Sequence, residues 1–264
     1  MIQKRYEGFI NTPVLWKNDS VFNLTQFEID SKSNRFEPAI NNKLRLGKYI
    51  ERFVSFELNQ HDDISILAEN IQIQDGKRTL GELDCLLLKN NQPTHLEIIY
   101  KFYLYDDTVG ETEIDHFIGP NRKDSLIEKL TKLKEKQLPL LYSETCKHYL
   151  DKFNLKAEHI IQRVYFKAQL FVPFSNQDFE LSILNINCIA GYFIKKQELG
   201  HFKTCKFYVP NKKDWLVIPN PKVDWVSFEL FKEKTEDYFT QKFSPMCWVK
   251  FKNGTINKVF LVWW

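Results

Sequence analysis

Two stretches, RTLGELDCLLL (Arg78–Leu88) and HLEIIYKFYL (His95–Leu104), decide how this chain is read. The second is rich in β-branched and aromatic residues, and Asn90–Pro93 between the two is a turn signal. Each stretch is apolar apart from isolated charges: Asp84 lies within Leu83–Leu88, and Glu97 within Leu96–Ile99. Strand side chains alternate, so Glu97, Ile99, Lys101 and Tyr103 share one face, and Leu96, Ile98, Tyr100, Phe102 and Leu104 the other. The second face is wholly apolar and is expected to pack. The first is expected to present an acid and an amine toward a cleft. Burying an ionised carboxylate is costly unless a cation or hydrogen bonds compensate it, and two on neighbouring strands compound the cost. A divalent cation resolves the conflict, since Mg²⁺ takes one or two carboxylates and keeps waters that a phosphate oxygen can replace. A lysine there would orient or deprotonate a water and stabilise charge at a scissile phosphate.

Upstream, KLRLGKYIERFVSFEL (residues 43–58) carries Leu46, Tyr49, Ile50, Phe53 and Val54 at helical spacing. Glu51 sits beside that stripe, where a helix packed over the sheet would aim it at the same cation; Gly47, one turn earlier, would permit close helix–strand approach. Ile64–Gln74 and Arg78–Leu88 flank Asp75-Gly76, a tight hairpin signal. Residues 1–42 read as an N-terminal arm with little certain structure. Downstream come an acidic loop (Asp106–Asp115), a helix start at Gly119-Pro120-Asn121, and a helix over 124–137 with Leu126, Ile127, Leu130 and Leu133 on one face. Pro139 limits that helix, and a linking helix is expected over 141–158. Residues 43–155 thus form one core. Residues 156–264 form a β-rich part, with strands expected at 160–172, 187–194, 206–209 and 215–218, a helix at 225–239, and a closing hairpin around Asn253-Gly254. No Pro/Gly/Ser linker separates the parts, which leaves open that they share one core.

Composition bounds the function classes. With 43% hydrophobic and 27% charged residues, only 9 Gly and 10 Pro, and 22 Phe among 264 residues, the chain is globular and able to fill a large core. A net charge of +3 does not announce nucleic-acid binding, so any basic surface must be local. No run approaches the ~20 apolar residues of a membrane span, and the N-terminus lacks a signal-peptide pattern. The 5 cysteines are scattered without C-x-x-C spacing, which reads as reduced thiols of a cytoplasmic protein. The N-x-[ST] triplets at Asn18, Asn23 and Asn253 would then be irrelevant. No Rossmann, P-loop, H-E-x-x-H or G-x-S-x-G motif is present.

GELDCLL (Gly81–Leu87) followed by HLEIIYKFYL resembles the D…E-x-K core of the PD-(D/E)XK nuclease-like superfamily. RLGKYIERF (Arg45–Phe53), IGPNRKD (Ile118–Asp124) and KQLPLL (Lys136–Leu141) resemble the bacterial domain of unknown function 1853 family, most closely over residues 40–145. The resemblance implies an α/β fold: a restriction-endonuclease-like αβββαβ core with a mixed sheet, here with a β-rich C-terminal extension. It implies a Mg²⁺ or Mn²⁺ site hydrolysing phosphodiester bonds in DNA or RNA. Glu51, Asp84 and Glu97 match the acids, as metal ligands, and Lys101 the catalytic lysine. One departure stands out: the usual spacing is E-x-K, whereas Lys101 lies four residues beyond Glu97, about 13 Å along a regular strand.

Asn121, Lys123 and Gln137 are candidate substrate contacts. Lys123 would grip a phosphate backbone at a helix N-terminus, against the plainer reading in which Asn121 or Asp124 simply caps the helix. Gln137 points either inward to the site or to a backbone group. The acidic loop lacks the D-x-[DN]-x-[DN]-G calcium pattern. His95 either flanks the metal or closes a strand, and the C-terminal tryptophans either stack on bases or fill the core. Besides a nuclease, two readings stay open: a catalytically inactive module binding nucleic acid or a partner protein, and an assembly role for the aromatic C-terminal hairpin.

Overall fold

The computed structural model describes residues 1–264 except 18, 19, 33, 34, 177 and 178; Asn18, of the first N-x-[ST] triplet, lies outside the described residues. In chain order the elements are α1 (Ile2–Asn11), α2 (Leu46–Leu58), β1 (Ile64–Asp75), β2 (Arg78–Lys89), β3 (Gln92–Tyr105), β4 (Phe117–Ile118), α3 (Leu126–Lys132) and α4 (Glu144–Asp151). There follow β5 (Ile161–Pro173), β6 (Ile189–Lys195), β7 (Lys206–Tyr208), α5 (Phe228–Thr240), β8 (Met246–Lys250) and β9 (Ile256–Val262). Among the described residues no helix is long and apolar enough to cross a membrane.

The protein is a mixed α/β structure of two compact units that interleave in sequence. One comprises Val14–Tyr100 and Glu128–Lys167; the other comprises Met1–Pro13, Lys101–Ile127 and Ala168–Trp264. The division therefore runs inside β3 and β5, not at residue 156.

In the first unit the strands follow the order β1-β2-β3-β5. β1 and β2 form the expected hairpin, paired from Ile64↔Lys89 to Asp75↔Arg78 with register shifts between Ile66 and Ala68 and between Ile73 and Gln74. Gly76 turns it at φ 58, a left-handed conformation that glycine adopts without penalty. β2 and β3 pair antiparallel from Lys89↔Gln92 to Cys85↔Leu96. On this sheet Ile73, Leu83 and Leu86 pack with Leu141, Cys146 and Leu150. Ser143 caps α4 by accepting from the Cys146 N–H.

The helix expected over 124–137 is shorter and changes type. After α3 the backbone widens into a π turn over Leu133–Gln137, then tightens into a 3₁₀ turn over Leu138–Tyr142. Pro139 has no N–H to continue the ladder, so the turn before it reorganises. The linking helix shrinks to α4.

The N-terminal arm is also a correction. Residues 2–11 form α1, which buries Tyr6 and Phe9 in the second unit. In the first unit Leu15, Trp16, Leu24 and Phe27 are all buried, and the Leu15 and Phe27 amides donate to Phe166 and Val164 carbonyls. Scattered aromatics without periodicity gave no local signal; their burial is supplied by β5.

In the second unit the order is β5-β6-β9-β8-β7. β5–β6 and β6–β9 are parallel, β8–β9 and β7–β8 antiparallel. The face of this sheet carrying Phe207, Val249 and Val259 packs with Phe228 and Phe231 of α5. The strand expected at 215–218 is instead a 3₁₀ turn over Lys212–Leu216, because a short apolar run carries no periodicity to separate strand from turn. β9 lies between β6 and β8 and Val259–Val262 are buried, so the aromatic hairpin is core, not a free assembly surface. Trp215 and Trp248 are buried too, and Trp264 stacks under Arg122 at 4.3 Å.

Candidate metal centre

The acids that converge in the first unit are Glu51, Glu82 and Asp84, each offering a carboxylate oxygen within 4.8 Å of the others. Alternation along β2 puts Glu82 and Asp84 on one face, and α2 contributes Glu51. Glu82 was not singled out from the sequence, although its i, i+2 spacing from Asp84 is the signal that finds it.

Asp84 sits where β2 and β3 part. Regular pairing ends at Cys85↔Leu96, and the Ile98 N–H donates to Asp84 Oδ2 at 2.9 Å. Burial, then the charge of Glu97, push the Asp84 carboxyl up to about 7; the Ile98 bond only partly offsets this. Burial also raises the Glu51 carboxyl, against the pull of Lys48. Glu51 Oε2 is buried and accepts no hydrogen bond, although Lys48 Nζ lies 3.1 Å away, a charge contact without hydrogen-bond alignment.

Lys48 was also missed. It stands one turn before Glu51 on α2 and donates short hydrogen bonds to Glu82 Oε1 and Asn70 Oδ1. Burial works against its charge, but the hydrogen bond to Glu82 and the close negative charges of Glu51 and Glu82 outweigh it and its pKa is raised. Asn70, in β1, holds φ 55, a conformation that Asn tolerates better than most residues. Gly47 does not serve close packing: it is exposed, and a Cβ there would meet nothing within 4 Å.

Glu97 stands beside this group rather than in it. It is fully buried. His95 Nε2 lies 3.1 Å from Oε1, and Gln137 Nε2 donates to Oε2 at 2.6 Å. Gln162 Nε2 faces His95 Nδ1 at 3.1 Å, an arrangement that assigns the ring proton to Nε2 and makes His95 the donor to Glu97. Gln137 therefore points inward, carried there by the π turn, and its Oε1 accepts from Lys129. The expectation that only one face of β3 packs is corrected: Glu97, Ile99 and Tyr103 are as buried as Leu96, Tyr100 and Leu104. The acidic side of the strand is therefore packed around Glu97 rather than open to solvent there.

Lys101 belongs to the second unit, where Nζ pairs with Asp124 Oδ2 at 2.5 Å. Asn121 Oδ1 accepts the Ser244 N–H at 2.7 Å, and Lys123 is exposed. In the acidic loop Asp106 is bound by Arg122 and Thr108, and Glu113 accepts the Ser182 and Leu184 amides. These two carboxylates are committed to loop structure.

No curated protein and no solved structure matches the chain. One family model does, over residues 11–262, well beyond the segments 40–145 whose motifs stand out by eye. That span includes α2, the β1–β3 strands with all three converging acids, and nearly all of the second unit. The chain belongs to the domain of unknown function 1853 family.

Proposed function

We propose that this protein is a metal-dependent, nuclease-like hydrolase of phosphodiester bonds in DNA or RNA, built on a PD-(D/E)XK-type core. The carrying observation is the convergence of three carboxylates within 4.8 Å, one with a buried oxygen that lacks a hydrogen bond and one displaced to about 7. Such a set is unfavourable without a cation and suits Mg²⁺ or Mn²⁺, which prefer hard oxygen ligands. Asp84, Glu82 and Glu51 would hold the ion. When bound, it supplies Lewis acidity at the scissile phosphate.

The protein's own groups do the rest. Glu97, pinned by His95 and Gln137, keeps a negative field on Asp84. Lys101 is spent on Asp124, so the lysine that positions water beside the acids is Lys48. In the second unit, taken by itself, Asn121 spends its side-chain oxygen on Ser244 and Lys123 offers an exposed ammonium to a nucleic-acid backbone.

Metal affinity then depends on pH with a definite sign. A proton competes with the ion for Asp84, so Mn²⁺ affinity should fall about tenfold per unit below pH 7 and level off above it. Calorimetric titration at pH 6, 7 and 8 checks this. A flat profile removes Asp84 from the ligand set. Ion-free stability runs the opposite way: a carboxyl raised in the folded state contributes stability at acid pH that is lost as pH rises through about 7.

One observation favours a second reading, a catalytically inactive module that binds nucleic acid or a partner protein. Lys48 already neutralises Glu51 and Glu82 as a built-in cation. Lys48→Met separates the two. The nuclease reading expects the variant to bind Mn²⁺ about 3–10-fold more tightly, because a competing charge is gone, and to cleave a supercoiled plasmid at least about 10-fold more slowly. The inactive reading expects Mn²⁺ binding only in the variant, and no cleavage by either protein.

A further inference from the structure

We infer that the second unit holds a binding site for a small organic carboxylate, with Lys258 as its anchor. Lys258 lies on β9, opposite Gly191 of β6 and Trp248 of β8. Its side chain is buried and lines an open pocket of about 230 Å³. Nζ donates to Gln169 Oε1 at 2.8 Å and to the Trp215 carbonyl at 2.6 Å. Both acceptors are neutral, and among the described residues no Asp or Glu forms an ion pair with it. Two acceptors satisfy two of the three N–H groups of an ammonium; the third, and the whole positive charge, lack a counterpart.

A buried charge is normally paired, and the nearby charges are committed elsewhere. Asp214, just before Trp215, is held by Arg5 at 2.7 Å. The Cys188 thiol on the pocket wall faces the Pro13 carbonyl. Burial pushes Lys258 down to about 7, so an entering anion would restore its proton. Gly191 shows how tightly this strand pair is built: a Cβ there would sit 2.1 Å from the Lys258 carbonyl oxygen.

The rest of the lining selects the ligand class. A single cation favours a monoanion over phosphate, which asks for several donors or charges. Ala190, Leu216 and Ile218 offer apolar wall, and Asn11, Thr12 and Asn187 polar rim. The volume lies below the roughly 300–1,000 Å³ of drug-sized sites. A short hydrocarbon body bearing one carboxylate fits this combination. The inference stands apart from the acidic centre, which shares none of these residues.

Titration of the full-length protein with propionate, propionamide and inorganic phosphate tests it. Propionate should bind one site, at least about 10-fold more tightly than either alternative, more tightly at pH 6 than at pH 8, and with proton uptake. Lys258→Met should lose that binding. Ala190→Phe, which fills the pocket and leaves the amine, should lose it as well, and decides the matter should Lys258→Met fail to fold. Equal affinity for propionate and propionamide, a preference for phosphate, or unchanged binding in either variant overturns the assignment.

Discussion

Asp84→Asn is expected to make the ion-free protein more stable while abolishing metal-dependent cleavage. The substitution keeps an oxygen to accept the Ile98 N–H and removes a charge that burial and Glu97 oppose. A displacement from 3.8 to about 7 corresponds to roughly 4 kcal/mol at 1.36 kcal/mol per unit, and partial solvent access reduces it, so a gain of about 1–2 kcal/mol at pH 8 is expected. The gain should vanish near pH 4, where the native carboxyl is protonated. Plasmid nicking with Mn²⁺ should fall by at least about 100-fold, the upper end of what losing even an outer partner of a metal site costs. Urea unfolding at both pH values, beside the nicking assay, reads both effects. Opposite signs for stability and activity mark a group retained for chemistry. A loss of stability at pH 8 would mean that Asp84 is structural.

The second large effect concerns two helical glycines whose outcomes should diverge. Alanine is favoured over glycine inside a helix by about 1 kcal/mol, so helix propensity alone expects Gly8→Ala and Gly47→Ala to stabilise alike. At Gly47 a Cβ meets nothing within 4 Å, and stabilisation by about 0.5–1 kcal/mol is expected. At Gly8 a Cβ would lie 1.9 Å from the Leu216 carbonyl oxygen, a backbone atom that no rotamer change can move aside. α1 would have to lift off the 3₁₀ turn, at a net cost of about 2–3 kcal/mol, or roughly 5–10 °C in Tm for a chain of this size. Thermal melts of both variants check this. Equal shifts would mean that α1 is not seated on that turn.

What was legible in the amino-acid sequence is what depends on near neighbours. The stripe from Leu46 to Val54, the Asp75-Gly76 and Asn253-Gly254 turns, and the apolar-rich runs of β2, β3 and β5 each carry their own period or turn chemistry. Acids inside apolar strands announced a conflict, which is why Asp84 and Glu97 were recognisable beforehand, and Glu51 stood out beside the apolar stripe of its helix. Glu82 lay within the same reasoning, two residues from Asp84, but at a strand position with no apolar flank on one side it carried no sense of conflict.

Tertiary structure decided what depends on residues far apart. Lys48, not Lys101, faces the acids, because α2 lies over β1 and β2 while Lys101 is claimed by Asp124. The N-terminal residues became core because β5 offered them carbonyl partners and apolar surface. Lys258, one charged residue in an otherwise strand-like run, became a buried amine above a pocket only once β6, β8 and the Trp215 carbonyl closed around it. Local sequence sets backbone preference and pattern, which act over a few residues. Charge pairing, desolvation and close backbone approach are properties of space, and they are settled when distant segments meet.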